Sequence, residues 1–357
     1  MRPILAAVGL VFVLAATEII GQQPPVFTPF GALPVLDAYL ESLRQQANIP
    51  GMSAALARDG VVIWEKGYGF QNVSSHIRAT PNTPYLVGDL SGTLAAAMIL
   101  ACVEQRRLYL DDPIRKYGAQ LPEADVTIRD LLSHTTPGAA EPFAYSPQRY
   151  RQLTTVMEAC EPRSFRKSVA ELLDSNAMRD SVPGTDLWHS DTVLREGEFE
   201  RQDVARYRQV LERMAVPYKV DSRGRAERTE LPPTPMSASG GLVSTVRDLA
   251  RLDATLDSSG FLRQETLDEA WNPRITARGF VSPMGLGWFV QGHRAERVVW
   301  HFGLIGNASS SLVMKLPDRK LTFILLANSD GLSAPFQLSS GNVTRSLFAT
   351  LFLRLVT

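Results

Sequence analysis

The chain has 357 residues, 45% hydrophobic and 21% charged, which is enough apolar content to bury a full-sized core. Its 37 Lys and Arg residues balance 37 Asp and Glu residues, so no net charge recruits nucleic acid or an acidic membrane surface. The five histidines form no His-x-x-x-His pair and the two cysteines no Cys-x-x-Cys pair. We therefore expect no metal and no cofactor.

The first 21 residues are typical of a secretory signal peptide. Arg2 precedes an apolar run from Ile4 to Ala16, which is shorter than the roughly 20 residues that a membrane-spanning helix needs. We therefore expect a periplasmic or secreted protein. Contact with a membrane is expected only through an uncleaved signal segment.

The first half of the mature chain begins with a short helix and a hairpin and then becomes rich in helices. Apolar residues at helical spacing predict a helix over residues 36–43. The Arg58-Asp59-Gly60 turn joins two predicted strands, residues 52–57 and 61–64. A long helix is predicted over residues 90–104, and shorter ones begin near Asp111 and Thr127.

Strand patterns return near the end of the chain, which indicates that the two ends build one sheet. The predicted late strands cover residues 286–291, 298–301, 309–315 and 321–328. Strands at both ends with helices between them favour an α/β (α+β) fold, in which an antiparallel sheet flanked by helices carries an inserted all-helical domain. We assign residues 22–85 and 236–357 to the sheet domain and 86–235 to the helical domain. The polar stretch 221–228 is predicted to be an exposed loop or hairpin tip.

Both cysteines, Cys102 and Cys160, lie in stretches with a helical pattern. A single disulfide between them is possible. Buried free thiols are the favoured interpretation, because cysteine is among the most frequently buried residue types.

Five motifs follow one another in the order seen in a known family. They are Thr80–Gly88, Thr127–Thr135, Gly240–Thr245, Gly285–Trp288 and His301–Gly303. In this order they resemble the serine β-lactamase and penicillin-binding protein family, in particular class C β-lactamases and the related esterases and D-alanyl-D-alanine peptidases. The resemblance implies the β-lactamase/transpeptidase fold, with the site in the cleft between sheet and helical domain.

The resemblance also implies which chemistry the cleft would need. In that family a serine at a helix start attacks an acyl carbon, and a lysine three residues later acts as base. A tyrosine from a Tyr-x-Asn element assists proton transfer, a Lys- or His-x-Gly strand forms the far wall, and two backbone N–H groups hold the oxyanion.

At the matching positions this sequence is degenerate. The serine position falls on Asp89 and the lysine position on Gly92, while Tyr145 keeps the tyrosine and Pro147 replaces the asparagine. The far wall corresponds to His301 and its two successors. By the resemblance, the oxyanion donors correspond to the backbone N–H groups of Asp89 and Leu304. The positions expected to contact a ligand are Pro147, Phe302, Gly303 and Leu304.

Other residues were weighed as substitutes for the missing pair. Ser91 is rotated about 200° from position 89 around a helix, away from the cleft. The literal Ser-x-x-Lys at Ser164–Lys167 lies in a later helix and is interpreted as a chance match. Asp89 is predicted to be a helix N-cap, a role that aspartate commonly fills. His134 is predicted to bond backbone, whereas His301 is equally consistent with a cleft wall and with packing.

Two functions remain open from the sequence. The favoured one is a catalytically inactive pseudoenzyme that binds a cell-wall or acyl small molecule, or a protein partner. The alternative is a serine-hydrolase-type enzyme with a rewired site. Losing a covalent nucleophile costs on the order of a millionfold in rate, which favours the first.

Overall fold

A computed structural model of the chain describes residues 29–123, 125–188, 197–258 and 260–357. The predicted signal peptide, residues 1–21, lies outside the described residues. In the ranges that are described, no helix is both long enough and apolar enough to cross a membrane.

The elements follow the predicted order of early strands, central helices and late strands. The helices are α1 Pro29–Gln46, α2 Ser91–Glu104, α3 Ile128–Leu132, α4 Pro147–Tyr150, α5 Leu153–Cys160, α6 Phe165–Ser175, α7 Arg201–Glu212, α8 Val246–Asp257, α9 Gln264–Ala270 and α10 Leu347–Val356. The strands are β1 Gly51–Arg58, β2 Val61–Asn72, β3 Ile77–Arg78, β4 Tyr85–Leu86, β5 Val182–Pro183, β6 Tyr218–Val220, β7 Ala226–Arg228, β8 Leu242–Ser244, β9 Phe289–His293, β10 Glu296–Ile305, β11 Ser309–Leu316 and β12 Leu321–Ala327.

A seven-stranded sheet forms the centre of the molecule, in the order β3-β2-β1-β12-β11-β10-β9. The first strand pairs antiparallel with the last, with Met52 opposite Ala327. Strands from both ends of the chain therefore build one antiparallel sheet, which confirms the predicted fold class. The domain limits at 85/86 and 235/236 stay a prediction.

Two smaller pairings lie outside this sheet. A three-stranded sheet has the order β4-β8-β5, and it joins the segments on either side of the helical region. The strands β6 and β7 form a separate two-stranded hairpin, as predicted for the polar stretch 221–228.

Local chemistry explains the first hairpin. Asp59 and Gly60 both have positive φ, 52° and 76°, which is the conformation that a two-residue turn needs to match the twist of its flanking strands. The Asp-Gly pair adopts it at little cost, because glycine has no Cβ and aspartate tolerates the left-handed region.

The two faces of the sheet pack against different helices. Along β12, Phe323 and Leu325 join one core cluster with α1 and α10, while Ile324 and Leu326 join another with α2 and α8. This alternation follows from the two-residue period of a strand. The helical region and α2 therefore lie on one side of the sheet, and the terminal helices cover the other.

The prediction of free thiols is wrong, because Cys102 and Cys160 form a disulfide. The helices α2 and α5 pack so that the two Cα atoms are 6.4 Å apart, within the range that a disulfide spans. The 58-residue separation conceals this proximity in the sequence.

Candidate functional site

A sharp turn delivers Asp89 to the edge of β10. Residues Gly88–Leu90 form one turn of 3₁₀ helix, and Gly88 has a positive φ of 63°. A Cβ on Gly88 would lie 3.0 Å from the backbone nitrogen of Leu304, and a Cβ on Gly303 would overlap the carbonyl oxygen of Val87. Glycines at 88 and 303 therefore allow the turn and the strand to touch.

A small pocket forms at this junction. Its eight lining residues are Asp89, Gly92, His134, Tyr145, Pro147, Tyr150, Ser239 and His301. The five that the sequence analysis placed in the cleft and the structure brings together are Asp89, Gly92, Tyr145, Pro147 and His301. The pocket holds only about 10 Å³, which is room for a single water molecule at most.

Asp89 is not the N-cap of the long helix. Leu90 occupies that position, and neither the 3₁₀ turn nor α2 receives a side-chain cap. Burial raises the pKa of the Asp89 carboxyl to about 7, and a hydrogen bond from the Tyr145 hydroxyl opposes that rise. The N-cap prediction is therefore wrong: the carboxyl faces Tyr145 in the pocket, where it lies near the midpoint of its titration at neutral pH.

The space next to Gly92 is filled by Tyr150. The Tyr150 hydroxyl donates a 3.0 Å hydrogen bond to the Gly92 carbonyl oxygen. A Cβ on residue 92 would lie 3.2 Å from Cε1 of the tyrosine ring, tighter than ordinary van der Waals contact. A side chain as long as lysine therefore fits at this position only if the Tyr150 ring moves.

His134 is held in a stack of aromatic rings. Its ring lies between Tyr145 and Tyr150, with centroid distances of 4.5 and 5.0 Å. The backbone N–H of Ser146 donates to its Nδ1 at 2.9 Å, so Nε2 carries the proton. Burial lowers the pKa of His134 well below its usual value, and His301 and Arg149 lower it further. As predicted, His134 bonds backbone, and it also lines the pocket as a neutral ring.

His301 is a neutral pocket wall. Its Nδ1 lies 2.8 Å from the carbonyl oxygen of Phe302, which can only accept, so Nδ1 carries the proton and Nε2 keeps its lone pair. Burial lowers the pKa of His301 to about 4, although the hydrogen bond that its Nδ1 donates to the Phe302 carbonyl oxygen raises it. His301 both lines the pocket and packs against the rings of Phe289 and Phe302, so the two roles left open for it are compatible.

The residues after His301 do not line the pocket. Phe302 belongs to the core cluster that includes α1 and α10, and its ring lies 5.2 Å from that of Tyr145. Leu304 packs against the same cluster. Gly303 packs against Val87 instead. The ligand-binding role of these three residues stays a prediction.

Tyr145 and Pro147 flank the start of a short helix. Ser146 caps α4 by accepting a hydrogen bond from the backbone N–H of Arg149, and Pro147 occupies the first helical position. Proline is favoured there because its missing N–H has no helical partner. Burial raises the pKa of the Tyr145 phenol well above its usual value, and the nearby Asp89 raises it further. Tyr145 is therefore a neutral hydrogen-bond donor.

The other serines that were weighed lie elsewhere. Ser91 donates to the carbonyl oxygen of Gly88 at 2.9 Å and is fully buried, in agreement with its predicted rotation away from the cleft. Ser164 caps α6 by accepting from the backbone N–H of Lys167 at 3.1 Å. The Lys167 ammonium lies over the ring of Phe199, outside the pocket. The interpretation of this Ser-x-x-Lys as a chance match is consistent with its capping role.

Three lining residues were missed as site residues by the sequence reasoning. Tyr150 lies three positions after Pro147, which places both on one face of α4. Ser239 directly precedes the Gly240–Thr245 motif, and His134 ends the Thr127–Thr135 motif. The proximity of these residues to the motifs is the sequence feature that could have predicted their place in the pocket.

The pocket offers hydrogen-bonding groups to a water-sized molecule but is poorly equipped for acyl transfer. Its two imidazoles are neutral, its phenols keep their protons, and no lysine or arginine is among the eight lining residues. A carboxylate beside the expected oxyanion position would also repel the charge that develops there.

Parts of the chain are similar in sequence to two known proteins. It is 30% identical over 109 residues to Protein flp of Staphylococcus aureus, covering 28% of this chain and 22% of that protein. To the human mitochondrial serine beta-lactamase-like protein LACTB it is 26% identical over 186 residues, covering 45% of this chain and 34% of that protein. The matched segments thus span only 22% and 34% of the length of these two relatives.

Solved structures share the fold over nearly the whole chain. The octameric penicillin-binding protein homologue from Pyrococcus abyssi superposes with a TM-score of 0.68 at 22% identity, covering 90% of this chain and 77% of that one. A class C beta lactamase from Rhodobacter sphaeroides gives 0.66 at 15% identity, covering 90% and 99%. The sequence model of the family described as "Beta-lactamase" matches residues 36–342, so the chain belongs to the beta-lactamase family.

Proposed function

We propose that this protein is an exported, catalytically inactive member of the beta-lactamase family that binds a ligand or a partner without forming an acyl-enzyme. The observation that carries the proposal is at the start of α2. Asp89 occupies the pocket where the resemblance calls for a serine, and the ring of Tyr150 fills the space beside Gly92 where a lysine would extend. Neither the nucleophile nor its base is then available.

The disulfide supports the exported location. Disulfides form and persist in oxidising compartments, and the Cys102–Cys160 pair is buried between two helices of the described chain. Together with the signal-like residues 1–21, this bond favours a periplasmic or secreted protein.

The size of the pocket limits what can be bound. With about 10 Å³ available, an acyl chain or a cell-wall fragment enters only if Tyr150 and α4 move away from Gly92. A cell-wall or acyl ligand therefore requires an opened cleft. A protein partner that docks on the outer surface requires no such movement.

Covalent labelling tests the proposal. We expect that the purified protein is not acylated by a fluorescent penicillin and hydrolyses neither a chromogenic cephalosporin nor a short-chain ester. Intact-mass spectrometry provides the readout. A stoichiometric mass shift would overturn the proposal, and a shift mapped to Ser164 would show that its capping role conceals a nucleophile.

A rewired hydrolase is the second candidate, and Ser239 favours it. This serine lines the same pocket as His134, His301 and Asp89. In such a site the Ser239 hydroxyl would attack an acyl carbon and pass its proton to the free Nε2 of His301. A low pKa of about 4 makes that imidazole a weak base.

A fluorophosphonate probe separates the two candidates. Under the second, the wild-type protein and Ser164→Ala label equally, whereas Ser239→Ala does not label. Under the first, none of the three proteins labels.

A further inference from the structure

Three sulfur atoms converge between α2 and α5, and none of their residues lines the pocket. Met157 and Cys160 are three residues apart on α5, which places them on the same helix face. Cys102 faces them from α2, with its Sγ bonded to Cys160 and 3.9 Å from Sδ of Met157. All three side chains are at least 92% buried, with exposed fractions of 1%, 3% and 8%.

We propose that reduction of the Cys102–Cys160 disulfide creates a binding site for one Cu(I) ion, held by the two cysteine sulfurs and Met157. In the reducing step a dithiol gives two electrons and two protons to the disulfide and is itself oxidised to a disulfide. When the ion binds, both cysteine thiols lose their protons and bind as thiolates. Soft thiolate and thioether donors favour Cu(I) over harder ions.

The geometry needs little rearrangement. Two sulfurs that share a metal at bonds of about 2.3 Å lie about 3.8 Å apart, close to the present distance of 3.9 Å between Cys102 and Met157. The two cysteine sulfurs have to separate after reduction. Their Cα atoms, 6.4 Å apart, leave room for that change by side-chain rotation.

The surroundings provide access and charge. A surface hollow of about 360 Å³ borders the site and is lined by Cys102, Met157 and Glu161, among others, which gives a dithiol and an ion a route inward. Arg107 donates to the carbonyl oxygen of Cys160 at 2.8 Å and pairs with Glu161 at 2.7 Å. The Arg107 guanidinium therefore lies beside Cys160, where it is paired with the Glu161 carboxylate.

Glu161 provides an alternative ligand set, and the test must distinguish Zn²⁺ bound with Glu161 from Cu(I) bound with Met157. One ligand atom from each of Cys102, Cys160 and Glu161 lies within 4.8 Å of the others, so a zinc ion could use the carboxylate instead of the thioether. Neither site is apparent from the sequence, because Cys102 and Cys160 are 58 residues apart in the chain.

A competition titration tests the proposal. The protein is reduced with dithiothreitol, desalted under anaerobic conditions and titrated against the coloured Cu(I)–bicinchoninate complex. We expect the reduced wild-type protein to remove one equivalent of Cu(I) and the oxidised protein none. The chain has two cysteines in all, so no other thiol competes.

Two matched variants decide the role of the thioether. Met157→Leu conserves volume and keeps both cysteines, and we expect it to bind Cu(I) on the order of tenfold more weakly. Met98→Leu alters another methionine that lines the same hollow, and its affinity should equal that of the wild type.

Three outcomes would overturn the proposal. One is equal Cu(I) affinity of Met157→Leu and Met98→Leu, which would also be the result if reduction unfolded the chain. Another is equal uptake by the oxidised protein. The third is binding of Zn²⁺ in preference to Cu(I), with loss of that binding in Glu161→Gln but not in Met157→Leu. None of these outcomes bears on acylation, so the proposed function stands or fails separately.

Discussion

The two ends of α2 differ in almost every respect. At its start, Asp89 and Gly92 face a pocket of about 10 Å³ that Tyr145, Tyr150 and His134 have filled. Near its end, Cys102 is bonded to Cys160 on α5 beside a hollow of about 360 Å³. The first end lies where the family's chemistry is expected, and it is closed. The second end is open at the surface and covalently fixed.

This difference separates two kinds of structural constraint. Closing the start of α2 takes only non-covalent contacts, such as the 3.0 Å hydrogen bond from Tyr150 to Gly92, which a modest movement of α4 can break. The end of α2 cannot leave α5 while the disulfide is intact. Substitutions at the start should therefore act through binding and through the protonation of Asp89, so that their effect on stability depends on pH. Changes at the end should alter the stability of the fold at any pH.

The largest effect is expected at the fixed end. Replacing both Cys102 and Cys160 by serine removes a cross-link that closes a 58-residue separation, and we expect the free energy of unfolding to fall by about 4 kcal/mol. Chemical denaturation measures this loss. The double variant should be insensitive to dithiothreitol, whereas the wild-type protein should lose a similar amount on reduction. Equal stability of all these forms would show that packing alone holds α2 to α5.

At the closed end the expected effect depends on pH. The Asp89 carboxyl has a pKa of about 7 in the folded protein because it is buried, against about 3.9 in the unfolded chain. The folded state thus holds this proton more tightly, so its stability falls as pH rises from about 4 to about 7. The Asp89→Asn variant has no carboxyl group to ionise, so it avoids burying a negative charge at pH 8. At that pH it should be more stable than the wild type by on the order of 2 kcal/mol.

The groups that share the pocket make a difference measurement necessary. His301 and His134 are buried as neutral rings with lowered pKa values, so both proteins lose stability as pH falls below about 6.5. Tyr145 stays protonated over this range. Subtracting the two pH profiles therefore isolates Asp89. As a control, Asp125→Asn alters a side chain that is 82% exposed and should not change the profile. An Asp89→Asn variant less stable than the wild type at pH 8 would contradict the assignment.

The smallest expected effect concerns rebuilding the missing pair. In Asp89→Ser with Gly92→Lys, the new lysine overlaps the ring of Tyr150, so we expect at most weak labelling by a fluorescent penicillin. Adding Tyr150→Leu should raise the labelling rate about tenfold, equivalent to about 1.4 kcal/mol. Adding Pro147→Asn instead should raise it less, by about the energy of one hydrogen bond.

The comparison of these variants has a clear negative outcome. If all of them fold normally and none labels, the cleft has moved beyond acyl-transfer geometry, and a partner that binds elsewhere on the surface becomes the better proposal. If Tyr150→Leu has no effect on an otherwise labelled double variant, the tyrosine does not close the site.

Local patterns were sufficient to predict most of the fold. The Asp59-Gly60 turn and the strand β12 are encoded within a few residues, and each was predicted within a few residues of its observed limits. The order of the motifs supplied the topology. The five pocket residues predicted in the cleft came together because each lies within or next to one of these motifs.

What the sequence did not reveal depends on contacts between distant elements. Two such contacts arise from the packing of α2 on α4 and α5. They are the hydrogen bond from Tyr150 to Gly92 and the disulfide between Cys102 and Cys160. The N-cap prediction for Asp89 failed for a local reason. One turn of 3₁₀ helix, Gly88–Leu90, precedes α2, so Leu90 is the N-cap of α2. A propensity for capping cannot distinguish these two arrangements.

The pairing of β1 with β12 has a consequence for how the chain folds. These strands lie side by side near the middle of the sheet, yet they come from opposite ends of the sequence, with Met52 opposite Ala327. Until the last strands have emerged from the ribosome or a translocation channel, β1 has one open edge and its apolar face lacks half of its partners. Contacts of such long sequence separation form slowly and leave strand edges open to aggregation. We therefore expect the chain to need chaperones most before residues 321–327 are free to pair with β1.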